Sequence, residues 1–301
     1  MTGLTNYTSD NLLNYLTGQI PEASLPSVYM ALFTAVGTDA GTGFTEVSGG
    51  GYARVQVAGA LTLGGAFTTA STTLTLASTA PAWLLALGTN GSGATVYDVT
   101  AGGAVGTVSS VSGTTVTLTS TASRNSSGSS DSLTFSAFPN ATGTAPSSLT
   151  NNSAVSFGTT SASWGTVLAW GFYDASSSGN LLTWDFLGGY NWLPFEVASG
   201  SNPTFSVKAN GYSSNDPIVF TAEYGGTLPS ASTGTFTGYT VNYVATPATD
   251  AINVDTTSGP TTPVVLTSSG SGQVRKILQQ GILSSGIAVS FAASTIVVSG
   301  A

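Results

Sequence analysis

Past its first twenty residues the chain is written in short apolar runs or strict apolar–polar alternations, each closed by a cluster of Gly, Ser, Asn or Thr. The clearest are SVYMALFT (27–34), YARVQV (52–57), AVSFG (154–158), WGTVLAWGFYD (164–174), LLTWDFL (181–187) and GIAVSFAASTIVVS (286–299). A period of two puts successive side chains on opposite faces of a strand, and turn residues at such short intervals leave no room for crossover helices. Many short strands with Gly, Asn and Ser turns predict sandwiches or barrels rather than a parallel sheet covered by helices.

One helix is predicted, near the start. Ser9 or Asp10 caps it, Leu12, Leu13, Tyr15 and Leu16 recur at helical spacing, and Gly18 followed by Pro21 ends it. Its apolar positions are expected to pack into the sandwich, with a neighbouring subunit as the alternative. Two blocks, 61–141 and 201–277, are poorer in tryptophan and have a rhythm of their own. The predicted fold class is therefore all-β: a β-sandwich, jelly-roll-like base domain with one short N-terminal helix and two small inserted β domains. The segments are 1–60 and 142–200 for the base, 61–141 and 201–277 for the insertions, and 278–301 for a closing hairpin of the base.

Composition removes several function classes. The chain of 301 residues has five Lys plus Arg against thirteen Asp plus Glu, and neither His nor Cys. Its five cations, Arg54, Arg124, Lys208, Arg275 and Lys276, are scattered, so nucleic acid is not an expected partner. Charged residues make up only 6%, yet 41% of the chain is hydrophobic, enough for a sizeable core. No window approaches eighteen apolar residues, so no membrane insertion is expected. The start, MTGLTNYTSDNLLNYL, lacks the basic and apolar regions of a signal peptide; work outside a cell would then follow lysis or travel on a particle.

Without His and Cys the common triads and zinc sites cannot be built, and neither lysine lies in an S-x-x-K pattern. A carboxylate pair is the remaining enzymatic option. Asp174, Asp185 and Glu196 lie among Trp184 and Trp192, but DASSSGN reads more simply as a hairpin turn opened by Asp174, with the tryptophans in the core. TDAGTG (38–43) and SNDP (214–217) offer one acid each where calcium takes six to eight oxygens. No catalytic, cofactor-binding or metal-binding residue is assigned.

Two stretches remain. Tyr190, Asn191, Trp192, Leu193, Pro194 and Phe195 form an apolar group that is either a contact surface, a sugar platform included, or a bridge from the core to the second insertion. TEVSGGGYARVQV (45–57) sets the first arginine of the chain behind three glycines. It lacks the lysine of a phosphate loop and leads into a strand, so its glycines predict a turn at positive φ. Arg54 is placed on the polar face of that strand, paired with Glu46 or another acid in the same subunit or across an interface.

With the two blocks set aside, the phrases TNYTSDNLLNYLTGQ, LPSVYMALFTAVGTDAGTGFTEVSGGGYARVQV, SLTNNSAVSFGTTSASWGTVLAWGFYDASSSGNLLTWDFL and ILSSGIAVSFAASTIVVSG remain, in that order. They resemble a small structural domain of tailed bacteriophages, encoded among tail and tail-fibre genes. The closing hairpin lacks the acidic residue usual in that family, and GGYNWLPFEVASG (188–200) replaces a shorter linker. In the second block DPIVFTAEYGGTLP, GYTVNYV and VVLTSSGSG are similar to a module of phage virion proteins. The resemblance implies a non-enzymatic structural protein of the virion, a minor tail, neck or fibre-base component assembled in the bacterial cytoplasm. A capsid decoration protein and a glycan-binding host-recognition appendage are the alternatives. Other virion proteins are the implied partners, in a homotrimer with an apolar interface. Tyr190, Trp192, Leu193, Phe195, Arg54, Leu12 and Leu16 are the candidate subunit contacts.

Overall fold

A computed structural model of the chain describes residues 3–17, 27–140, 148–222, 225–259 and 262–299. Strands account for nearly all the regular structure, and every strand pair is antiparallel. The largest sheet runs in the order Gly3–Leu4, Leu181–Phe186, Ala169–Tyr173, Ser27–Ala35, Val55–Thr62, Ser132–Ser136, Thr95–Asp98, Gly103–Ser112, Thr115–Leu118 and Thr73–Thr75, with Thr45–Glu46 paired beside Ser27–Ala35.

Its central strands are buried on both faces, which is why VYMALF and LAWGF read as unbroken apolar runs. Met30 and Leu32 point into one core with Val57, Phe135, Trp170 and Phe172, while Ala31 and Phe33 point into another with Ala169, Trp184 and Phe186. Gly171 sits on the central strand between Leu181 and Phe33 with no room for a side chain. A Cβ there would lie 2.8 Å from Leu181 Cδ1 and 2.9 Å from Phe33 Cε2, so no larger residue fits without displacing its neighbours.

The chain leaves this sheet along Val55–Thr62 and returns along Ser132–Ser136, with Ala58 opposite Ser136 and Thr62 opposite Ser132. The strands between them extend the same sheet. This stretch also holds a five-residue helix, Ala82–Ala86, anchored by the buried Leu84. The period-two reading had not foreseen it.

Three ladders cover the first core from the other side: Ser148–Thr150 with Val297–Ser299, Val155–Thr159 with Ala288–Phe291, and Gly165–Val167 with Gln280–Ile282. The run 164–174 is thus two strands, since the chain changes partners at Leu168. Phe157, Trp164, Val167, Ile282 and Ile296 carry the ladders' share of that core.

A closed barrel follows, formed by Leu193–Val197, Thr204–Ser206, Ala251–Asp255, Asn242–Ala248, Pro217–Thr221 and Gly270–Lys276. Closure leaves the barrel without an open sheet edge. Phe195, Phe205, Phe220 and Phe236 fill it, with ring centroids 4.9–5.8 Å apart.

The first helix, Asn6–Leu16, begins earlier than the sequence suggests: its N-cap is Thr5, and Ser9 and Asp10 lie inside it. Gly18 and Pro21 fall outside the described residues. The hydroxyl of Thr5 donates to Leu181 O at 2.6 Å, and that of Thr8 to Leu182 O at 2.8 Å. These bonds hold the helix against the first residues of Leu181–Phe186, yet none of its residues is buried. The expected packing of its apolar face into the sandwich is therefore corrected. Among the described residues no helix is long and apolar enough to cross a membrane.

Candidate functional site

The glycine turn is built as the sequence predicts. Gly49, Gly50 and Gly51 have φ of 71°, 57° and 78°, conformations that residues with a Cβ rarely adopt. The carbonyl of Gly50 accepts from Trp164 Nε1 at 2.9 Å and from Ser161 N at 2.8 Å, tying the turn to the covering ladders. Arg54 pairs with Glu46 in the same chain, Nη2 to Oε2 at 2.7 Å and Nε to Oε1 at 3.0 Å. Its Nη1 donates to the carbonyls of Ala175 and Ser178, and its guanidinium lies 3.4 Å from the centre of the Tyr173 ring.

Arg54 precedes the strand that begins at Val55, and its side chain is 8% exposed, so it works as an internal clamp on the DASSSGN turn. Burial opposes its charge, but the hydrogen bond and charge of Glu46 outweigh that and hold its pKa above the ordinary value. The Tyr52 hydroxyl donates to Glu46 Oε1 at 2.9 Å, accepts from Leu32 N at 2.9 Å, and is pushed upward in pKa by burial. The hydrogen-bonding partners of this group lie in the same chain, and the guanidinium borders a small cleft of about 290 Å³ beside Thr5, Tyr7 and Asn180 with its nitrogens already engaged by Glu46, Ala175 and Ser178.

The aromatic stretch divides. Phe195 is 2% exposed inside the barrel, so it has no surface to offer a second subunit; Leu193 is half-buried against the same core. The alternation Phe195, Val197 inward and Pro194, Glu196 outward was the signal for this, and grouping by composition hid it. Trp192 packs with Phe186 and Tyr239 at ring separations of 6.4 and 6.2 Å, where sheet and barrel meet. Tyr190 is the aromatic residue of the group that is exposed, with Lys276 Nζ 5.3 Å from its ring centre.

That meeting place, or seam, contains Ala31, Phe33, Trp184 and Phe186 from the sheet, Val219 from the barrel strand Pro217–Thr221 and Ile277 from just past the barrel strand Gly270–Lys276. One ion pair crosses it: Arg275 Nη1 donates to Asp185 Oδ1 at 2.6 Å, with the arginine side chain 4% exposed. Neither residue drew attention in the sequence as a pair, because ninety positions separate them.

The acids considered for chemistry face three directions. Asp174 accepts from Asn180 N at 2.7 Å and Asn180 Nδ2 at 2.8 Å across its turn, Asp185 is held by Arg275, and Glu196 is exposed on the barrel wall. Trp184 is fully buried, with its Nε1 donating to Asp39 Oδ1 at 3.1 Å. No two of these carboxylates share a cleft with an exposed tryptophan. Asp216, in the second calcium candidate, pairs with Lys276 at 2.8 Å. Among the described residues no three acids gather as a metal site would require.

Exposed apolar surface is concentrated elsewhere. Leu12, Leu13, Tyr15 and Leu16 lie within one side of the helix Asn6–Leu16 and all are exposed, Leu16 to 69%. Past the seam, Leu187 and Leu278 border a cleft of about 700 Å³ that opens between the covering ladders and reaches Leu32. Val289, Phe291, Ala292 and Val297 form its other wall, and none of its lining residues is ionisable. Leu278 and Val297 stand exposed around it. No single motif in the sequence announces this cleft, because its lining comes from five separate segments.

A family model described as podophage GP4 fiber I protein gp80 matches residues 3–112 and, in a second match, 77–209. Together the matches span more than half of the chain and run through the large sheet into the first barrel strands. Neither a curated protein nor a solved structure gives a significant match.

Proposed function

The chain belongs to the podophage GP4 fiber I protein gp80 family, and from that membership we propose that it is a non-enzymatic structural subunit of a tailed-phage fibre, working through contacts with other virion proteins. The family match is the observation that carries the proposal, and its printed description favours the tail over a decorated capsid. The interior supports it. The buried polar groups reviewed above are engaged in holding the chain together, and the carboxylates do not converge. Large apolar side chains are left exposed at one helix and one cleft, as expected of a subunit that finishes its burial in an assembly.

A homotrimer fits this reading, since tail appendages usually match threefold or sixfold axes and obligate interfaces are the more apolar ones. Leu12, Leu16 and Tyr190 are the sequence-chosen residues that stand on the surface; Arg54 and Phe195 serve inside the subunit. A glycan platform gains little support, because Trp184 is buried and Trp192 is packed at the seam.

Electron microscopy of particles carrying an epitope tag at residue 301, decorated with gold-labelled antibody, tests the proposal. Label confined to the tail is expected. Label on the capsid, or a chain absent from purified particles, overturns it.

A further inference from the structure

The helix Asn6–Leu16 and the cleft beside Leu278 are both apolar and both unmatched within the chain. Leu12, Leu13, Tyr15 and Leu16 fall within one side of the helix, while Asp10, its only charged residue, lies about 160° from Leu12 and about 60° from Leu13, at the margin of that side. The cleft has the size to take several such side chains and no charge to refuse them. The two features lie at opposite ends of one strand. Thr5 and Thr8 tie the helix to Leu181 and Leu182, whereas the cleft begins at Leu187, about 20 Å further along an extended chain.

Resting on the fibre-subunit reading, the geometry points to a second copy of this chain as the occupant of the cleft: the helix Asn6–Leu16 of one subunit lies in the cleft of the next. Such helix-in-groove contacts bury an apolar helix side against an apolar channel. A head-to-tail ring of three or more subunits requires two different patches per subunit, one donating and one receiving, and these two supply them. Pairing the chain with itself covers both features at once, while an unrelated partner covers one and leaves the other in water. Charge agrees, because copies each carrying a formal charge of −8 repel except where the touching surfaces are uncharged.

The absence of cysteine makes the test clean. Leu16→Cys and Ala292→Cys chains, mixed and mildly oxidised, should give a disulfide-linked pair of unlike chains on a non-reducing gel. Neither variant alone should do so to the same extent. In parallel, Leu12→Asp with Leu16→Asp on the helix, and Ala292→Trp in the cleft, should each convert the oligomer seen by light scattering into folded monomer, judged by an unchanged circular dichroism spectrum. A linkage formed within one chain, a cleft variant that stays oligomeric while the helix variant does not, or a wild-type monomer at micromolar concentration overturns the inference. A monomer whose tag still decorates the tail sinks the self-contact and leaves the fibre assignment standing.

Discussion

Ile277 and Leu278 are neighbours in sequence with opposite fates. Ile277 is 1% exposed in the seam, beside Trp184 and Phe186, while Leu278 is nearly half exposed on the rim of the cleft. The same division holds across from them: Phe186 faces the seam and Leu187 the cleft, and Leu278 N donates to Leu187 O at 3.0 Å, so that two chain crossings from sheet to barrel run side by side. Period-two alternation has thus made two apolar surfaces from one pair of strands. The chain seals the first with aromatic rings and an ion pair and leaves the second open. The seam should therefore govern stability and the cleft association, and each substitution below tests that division.

The largest effect is expected at Arg275. Replacing it with Ala leaves the Asp185 carboxylate largely buried without its cation, at a cost of about 4 kcal/mol. Chemical denaturation should show this as a lower midpoint. An Arg275→Met, Asp185→Leu double variant should recover most of the loss, because the desolvation of both charges disappears together. If the single variant is as stable as wild type, the seam is not held in the way described.

Next comes Ile277→Ala. Removing a fully buried side chain from the seam costs about 3 kcal/mol in lost transfer energy and cavity. Oligomeric state at a temperature well below unfolding should not change.

A smaller effect, bound to pH, is expected where the chain returns to the large sheet. Asp131 accepts from Ser127 N at 2.6 Å and Ser127 Oγ at 2.8 Å. Desolvation alone raises its pKa, but these bonds outweigh it and leave the group below the ordinary carboxylate value. A depressed folded-state pKa gives stability that is fully present above the unfolded value, about 4, and is lost as pH falls through the folded value. Asp131→Asn should therefore flatten the acid limb of a melting-temperature profile below about pH 4. An unchanged acid limb would count against the Ser127 bonds as its source.

Much of this division can be read from the sequence, and the rest fails for physical reasons. The glycine turn and the Arg54–Glu46 pair were legible because both are local, eight residues apart across a tight turn. The doubly buried strands were legible in outline, since VYMALF leaves no polar face. What covers their second face was not, because the seam depends on Arg275 and Ile277 arriving from the far end of the barrel. Helical spacing showed that Leu12 and Leu16 share a side, but periodicity reports a surface and not its partner. For Phe195 the alternation with Glu196 held the answer, while proximity to Trp192 and Tyr190 suggested a single cluster.

The smallest change in stability is expected at Leu278→Ser, which bears most directly on the cleft. A leucine that keeps nearly half its area exposed should shift unfolding by only about 1 kcal/mol. If the cleft receives a neighbouring helix, the same leucine becomes buried on assembly and its loss must appear there, as a higher dissociation constant in sedimentation equilibrium. Stability and association then respond in opposite order to substitutions one residue apart, Ile277→Ala in the first and Leu278→Ser in the second. A Leu278→Ser chain that unfolds early while associating normally would place that side chain in the subunit's own core, and would erase the distinction between seam and cleft.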